Sequence, residues 1–221
     1  MNKRKICCRI LVLSVVLSLA VLIPQQIFAQ SSKGIELYNQ WQFAEAETVL
    51  REALKADPSE TPANYYLGLS VLMQEKYNDA IDIFVKVKRS QDRADKKTRP
   101  AVPSEYQIQL AMARARLGLR QYDEAWKNLE SARIEDGTAS DVYVYRGASY
   151  VLQGKNKEAI KELEKAIKLD EKNPYTYYYQ GLAYYQSGQA DKAVTALKMF
   201  LQLNPSAPEA SKAKKIVTEL C

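Results

Sequence analysis

The amino-acid sequence predicts an all-α protein, a solenoid of antiparallel helical hairpins. One alanine recurs along the chain, and a small residue stands twelve positions before each copy. These pairs are Gly34 and Ala46, Gly68 and Ala80, Ala113 and Ala125, Gly147 and Ala159, and Gly181 and Ala193. Both series have intervals of 34, 45, 34 and 34 residues, so one unit is repeated five times with a single insertion. Self-similarity of this length is typical of helical repeat arrays, in which each unit buries its apolar face by stacking on the next.

The first 29 residues have the pattern of a secretory signal peptide. An apolar run over residues 10–23 follows a basic start and precedes a small residue, Ala29. As a helix this run spans about 21 Å, less than the ~30 Å hydrocarbon core of a membrane, so we expect cleavage after Ala29. The sequence has no Asn-X-Ser/Thr glycosylation acceptor with X other than proline. We therefore predict an exported protein, periplasmic or extracellular in a bacterial envelope, with an uncleaved membrane anchor as the alternative.

The net charge and the cysteine content limit which classes of partner and which covalent links the protein is expected to have. The signal segment carries four of the 32 Lys and Arg residues and none of the 26 Asp and Glu residues, so the remaining chain has a net charge of +2, 28 minus 26. This basic excess is too small to predict nucleic-acid binding. Cys221 is the one cysteine after the signal segment, so no internal disulfide is expected. Its role stays open between an inert terminal thiol, a disulfide to another molecule and a nucleophile.

Each repeat has the apolar spacing of two helices. In the fifth repeat Tyr177, Gly181 and Tyr184 share one helix face, and residues 187–189 end that helix. A large apolar residue follows each recurring alanine by four positions, and we expect it to pack in the core: Leu50, Phe84, Leu129, Leu163 and Leu197. Tyr143, Tyr150, Tyr177 and Tyr184 are predicted to lie in the same core. The predicted hairpins occupy residues 30–60, 61–94, 106–139, 140–173 and 174–205.

Capping residues predict the helix boundaries. Thr61-Pro62 and Asn173-Pro174 each have the pattern of an N-cap followed by proline in the first helical position. Ser206 and Glu209 form a capping-box pattern, which predicts a C-terminal capping helix over residues 206–221. Its apolar stripe, Ala210, Ala213, Ile216, Val217 and Leu220, packs on the last hairpin, and its lysines face solvent.

The insertion lies near residues 86–105, between the second and third repeats, and is strongly basic. Two interpretations remain open: a patch that docks an anionic partner, or a solvated loop that extends a helix end. The residues of this candidate basic patch are Arg89, Arg93, Lys96, Lys97 and Arg99.

The repeats resemble the tetratricopeptide repeat family over about residues 32–205. The resemblance rests on Leu67-Gly68, on an aromatic residue three positions before the second alanine, and on the spacing of Ala46, Leu50 and Ala53. The aromatic residues are Phe43, Tyr77 and Tyr122, and Pro58 and Pro205 are the closing prolines. The sequence departs from the family pattern at Ala113, Arg116, Arg146, Asn156 and Ala190. The resemblance implies a right-handed superhelix with a concave groove.

In the family, the second, fifth, ninth and twelfth places of each repeat face the groove. The resemblance therefore implies an aromatic and aliphatic groove formed by Tyr65, Leu69, Leu72, Arg114, Val144, Ala148, Val151, Tyr175, Tyr178, Leu182 and Tyr185. One subclass binds a terminal carboxylate with Lys and Asn at the fifth and ninth places, and this chain lacks that pair. Such a groove suits a peptide segment that inserts side chains between tyrosines. The alternative is that the terminal helix, or a second copy through self-association, covers it.

The sequence contains no histidine, which removes the usual general base and the commonest metal ligand. We expect no catalytic residue, metal or cofactor, and hence no enzyme. The leading hypothesis is an exported, non-enzymatic scaffold or adaptor that binds a protein partner in its groove. The alternatives are an accessory module for polysaccharide or cell-wall assembly and, if the signal peptide is retained, a membrane-tethered assembly factor.

Overall fold

The computed structural model describes residues 29–93 and 103–220, and every regular element within those ranges is an α-helix. Each helix packs on the next in chain order, so five hairpins, α1–α2 to α9–α10, precede a single helix, α11. The predicted all-α solenoid is confirmed. The predicted signal peptide, except for Ala29, and Cys221 lie outside the described residues.

The helices are α1 (29–39), α2 (Phe43–Ala56), α3 (Thr61–Met73), α4 (Tyr77–Arg93), α5 (Glu105–Gly118), α6 (Tyr122–Glu135), α7 (Ser140–Leu152), α8 (Asn156–Leu169), α9 (Pro174–Gln186), α10 (Ala190–Leu203) and α11 (Ala210–Leu220).

The hairpins stack into two layers. The first helices α3, α5, α7 and α9 contact one another in succession, whereas contacts of that extent between successive second helices are absent from the described ranges. The first helices therefore form an inner layer and the second helices an outer layer. Because the inner helices lie closer together, the solenoid curves toward them.

Within each hairpin a small residue on the first helix receives a large side chain from the second. A Cβ atom at Gly181 would lie 2.6 Å from the Leu197 Cγ atom, and one at Gly68 would lie 2.5 Å from the Phe84 ring. Gly34 and Gly147 show the same closeness to Leu50 and Leu163. The five large residues and the five recurring alanines are fully buried, as the repeat pattern predicts.

The turn inside each hairpin has one backbone geometry. The residue after the turn donates its N–H to the carbonyl five positions earlier, as Lys155 does to Tyr150 across 2.9 Å. This bond ends a helix in the Schellman motif and places the residue before the donor in the left-handed region. Among the described residues, positive φ angles recur with the repeat, at Trp41, Glu75, Arg120, Gly154 and Gly188.

The helix boundaries follow the sequence patterns in part. Asn173 caps α9 as predicted, because its side chain accepts a hydrogen bond from the Tyr175 N–H group. Thr61 is the first residue of α3 and Glu60 is its N-cap, so the N-cap assigned to Thr61 was wrong by one position. The start predicted for the C-terminal helix was also wrong. Residues 205–209 form turns, and the helix begins at Ala210.

Polar and aromatic side chains compensate for two departures from the repeat pattern. Arg116 donates to the Asn128 side chain across 2.8 Å, within the third hairpin. Arg146 forms an ion pair with Glu130, and its guanidinium lies 4.9 Å from the Trp126 ring centroid. Four tyrosines were predicted in the core, and all four are half-buried. Tyr150 and Tyr177 pack against a core cluster, as predicted, whereas Tyr143 and Tyr184 belong to none of the core clusters that the described residues form.

We expect the Gly181→Ala substitution to destabilise the protein by about 1–3 kcal/mol, because the new methyl group overlaps Leu197 and outweighs the better helix propensity of alanine. Gly137→Ala is the matched control, since a Cβ atom there meets only the Arg133 carbonyl oxygen at an ordinary 3.5 Å. Urea denaturation followed by circular dichroism measures both variants. Equal unfolding free energies for the two would contradict the close approach of α9 and α10.

Glu47 connects the first hairpin to the second. Its carboxylate lies 2.7 Å from an Arg51 nitrogen and 2.9 Å from the Lys76 Nζ atom, and it accepts a hydrogen bond from the Gln74 amide across 2.8 Å. Burial acts to raise the pKa of Glu47, but the hydrogen bonds from Lys76, Arg51 and Gln74 outweigh it and lower the pKa from 4.5 to about 2. A folded-state pKa below the unfolded value stabilises the fold above pH 4.5, and this stabilisation is lost as the pH falls toward 2.

We expect Glu47→Gln to lower the free energy of unfolding at pH 7, because it removes both ion pairs. The loss should be only about 1–2 kcal/mol, since both cations are half-exposed and their charges are screened by solvent. The difference from wild type should shrink as the pH falls from about 4.5 to about 2. Glu52→Gln is the control, since it removes only an exposed pair with Lys55. A difference that stays constant with pH would show that the Glu47 charge does not stabilise the junction.

Candidate binding cavity in the inner layer

A cavity of about 540 Å³ opens on the inner layer of helices, and we call it the inner cavity. It is surrounded by the end of α3, by parts of α5, α7 and α9, by the first residue of α4, Tyr77, and by the start of α11 with the two residues before it. Its walls present polar and apolar surface in about equal amounts, and its charged groups are Glu75, Arg114, Arg120, Glu209 and Lys212. The apolar and aromatic residues include Leu72, Met73, Leu117, Tyr145, Ala148, Leu152, Tyr178 and Tyr179.

The structure separates the predicted groove residues into three groups. Leu72, Arg114, Ala148 and Tyr178 line the inner cavity. Tyr175 and Tyr185 instead donate hydrogen bonds to carboxylates near or in α11, and do not line it. The remaining residues are buried between helices: Tyr65, Leu69, Val144, Val151 and Leu182.

The C-terminal helix covers the fifth-repeat part of the predicted groove. The Tyr175 hydroxyl lies 3.3 Å from Glu209 Oε2, and the Tyr185 hydroxyl lies 3.4 Å from Glu219 Oε2. Ile216 packs in the same core cluster as Tyr178. This cover is partial, because Tyr185 stays 40% exposed and Tyr178 and Tyr179 still line the inner cavity.

The sequence did not predict several of the cavity residues, because they lie one place after the fifth and twelfth places, which were expected to face the groove. Tyr145 and Tyr179 occupy the sixth place of their repeats, and Met73 and Leu152 occupy the thirteenth. The sixth and thirteenth places are seven residues apart and share one helix face. The recurrence of tyrosine at an interval of 34 residues was the sequence signal that could have revealed them.

Arg114 is half-buried in the wall of the inner cavity without an acidic partner among the described residues. Its Nη2 atom lies 3.4 Å from the Met73 Sδ atom, and its guanidinium carbon lies 5.5 Å from the Tyr145 ring centroid. The Tyr38 hydroxyl is also beside it. Burial raises the pKa of Tyr38, whereas the Arg114 charge and hydrogen bond act to lower it. These neutral neighbours leave several of its N–H donors available, because a guanidinium carries five.

The neighbouring tyrosines are hydrogen-bond donors at neutral pH. Burial raises the pKa of Tyr145 to about 12, although the nearby Arg114 charge acts to lower it. Burial and the Glu209 charge likewise raise the pKa of Tyr178 to about 12. Both phenols are therefore protonated over the physiological pH range.

Two residues at the rim have a strained backbone. Glu75 and Arg120 have φ angles of 61° and 59°, where the equivalent turns of the last two hairpins use Gly154 and Gly188. Glycine adopts this region without steric cost, whereas other residues do so at a cost of about 1–2 kcal/mol. Strained residues of this kind cluster at functional sites.

The candidate basic patch is only partly described. Arg89 and Arg93 are exposed on the last turns of α4. Lys96, Lys97 and Arg99 lie outside the described residues, so the patch stays a prediction. Within residues 29–93 and 103–220 no helix has the length and hydrophobicity needed to cross a membrane. The same ranges contain no cluster of three or more side chains suited to hold a metal ion.

Comparison with solved structures shows the same fold in other proteins. A thermophilic TPR protein from Thermus thermophilus has a TM-score of 0.70 at 18% identity, with 87% of this chain and 99% of that chain covered. A chain of the APC/C hetero-tetramer Cut9–Hcn1 has a TM-score of 0.69 at 16% identity, with 88% and 36% covered. MamA from Desulfovibrio magneticus RS-1 has a TM-score of 0.54 at 16% identity, with 85% and 96% covered.

Sequence comparison identifies the repeat itself. Models of the tetratricopeptide repeat match residues 32–94 and 174–207, and a model described as TPR repeat matches residues 147–188. Together they cover more than half of the chain. No curated protein matches its sequence. The sequence matches and the stacked hairpins agree, and the chain belongs to the tetratricopeptide repeat family.

Proposed function

We propose that this protein is an exported, non-enzymatic scaffold that holds a segment of a partner protein in the inner cavity. The proposal rests mainly on one observation: apolar and tyrosine side chains from four successive hairpins line the same cavity. Tyrosine provides a large contact area at low entropic cost and is enriched at recognition surfaces. The related fold in the Cut9–Hcn1 hetero-tetramer belongs to a protein that assembles with another protein.

The size of the inner cavity favours a segment over a folded domain. Its volume of about 540 Å³ falls within the range of about 300–1,000 Å³ that is typical of clefts for small ligands. That space accommodates a few side chains of an extended or helical peptide. The helices that surround it are fixed by the buried core, so little ordering of the scaffold would oppose binding.

The strained rim also supports binding at this place. Glu75 and Arg120 keep charged side chains where glycine would be less strained. Both side chains line the inner cavity. All three of the first three hairpin turns retain this cost, at Trp41, Glu75 and Arg120, and two of these side chains line the inner cavity.

We expect Leu152→Arg to abolish recovery of the partner in a crosslinking pulldown from the cell envelope, because the long cation fills the inner cavity. Leu169→Arg is the matched control. Both leucines are 45% exposed, but Leu169 lies outside the inner cavity. The partner should be recovered with Leu169→Arg as with wild type. Unchanged recovery with Leu152→Arg, or equal loss with both variants, would place recognition elsewhere.

Export is proposed from the sequence of the first 29 residues. Its test is mass spectrometry of the protein isolated from its native host, and we expect an N-terminus at Gln30 after cleavage behind Ala29. An intact N-terminus in the membrane fraction would favour the tethered alternative. An intact N-terminus in the cytosolic fraction would contradict export.

A further inference from the structure

Arg114 breaks the repeat pattern at a position where the other repeats agree. It occupies the ninth place of the third repeat, and the same place holds Ile35, Leu69, Ala148 and Leu182 in the other four. Leu69, Ala148 and Leu182 are buried and Ile35 is half-buried. A half-buried cation among aliphatic equivalents is destabilising unless a counter-charge compensates it.

Of the other half-buried arginines of the third and fourth repeats, one has an acidic partner and one has neutral oxygen acceptors. Arg116 donates to the Asn128 amide oxygen and to the Glu124 carbonyl, and Arg146 is paired with Glu130. The neighbours of Arg114 are the Met73 thioether, the Tyr145 ring and the Tyr38 phenol, all of them neutral. None of these three groups neutralises the positive charge of Arg114, and together they do not accept from all five of its N–H groups.

We propose that Arg114 binds a carboxylate of the segment held in the inner cavity, with the Tyr145 side chain flanking the ion pair. This inference rests on the proposed function, because the carboxylate arrives on a bound peptide. A guanidinium presents paired N–H groups that match the two oxygens of a carboxylate. Partial burial strengthens the pair relative to one in water.

The surroundings favour a carboxylate over a more highly charged group. Glu75 and Glu209 line the same cavity, so three cations face two acidic side chains and the excess is one positive charge. A single carboxylate neutralises that excess, whereas a phosphate group would leave additional negative charge near Glu75 and Glu209. The apolar walls beside Arg114 suit the neighbouring side chains of a peptide.

The test compares short synthetic peptide libraries that share random apolar and aromatic positions. One library has a central glutamate and an amidated C-terminus, a second has no acidic residue and a free C-terminus, and a third has neither carboxylate. Binding to the full exported chain is measured for wild type, Arg114→Leu, Arg114→Lys and Arg133→Leu. Arg133 is the control, because it forms an exposed pair with Glu130 outside the inner cavity.

We expect wild type and Arg133→Leu to prefer one carboxylate library over the neutral library by about tenfold or more. The preferred library shows whether the carboxylate belongs to a side chain or to a C-terminus. Arg114→Leu should bind all libraries equally, and Arg114→Lys should keep part of the preference. Because leucine restores the residue type of the second repeat, Arg114→Leu should unfold at or above the wild-type temperature.

The outcomes separate this inference from the proposed function. If wild type binds the peptides with no preference for a carboxylate, the inference about Arg114 is overturned but the proposed scaffold function is not. A preference that survives Arg114→Leu also overturns the inference. If wild type binds none of the libraries, peptide binding in the inner cavity is overturned and the inference with it.

Discussion

The whole structure depends on one repeated contact. In each hairpin, a large side chain on the second helix packs directly against a small residue on the first helix. In four of the five hairpins the small residue is glycine, and in the third it is Ala113. An added methyl group at any of those four glycines would overlap its neighbour. The closeness of the two helices is therefore set by this pair, and the repetition of the pair sets the repetition of the hairpin.

The inner cavity follows from that geometry. Because each hairpin presents its first helix inward, side chains from α3, α5, α7 and α9 converge although they are far apart in sequence. The core contacts repeat almost unchanged, whereas the residues that face the cavity differ from one repeat to the next. This division leaves the inner face free to vary in chemistry without loss of the fold.

The third repeat shows how the array tolerates polar residues. Asn128 donates to Gln109 and accepts from Arg116, so three polar side chains in this hairpin satisfy one another. Buried polar groups that are hydrogen-bonded in this way cost little stability. Arg114 lies in the same hairpin beside neutral groups only, so its charge stays available to a ligand in the inner cavity.

The sequence by itself determined the number of repeats, the burial of Leu197 and its equivalents in the core, and the all-α solenoid. These features are local or recur at a fixed interval, so periodicity alone reveals them. The sequence also indicated Arg114 and Tyr178 as groove residues. Only the tertiary structure showed that α11 partly covers the fifth-repeat groove and that Tyr145 and Tyr179 face the inner cavity. The physical reason is that the rotation of each inner helix and the path of the C-terminal segment depend on packing between repeats, which no single repeat encodes.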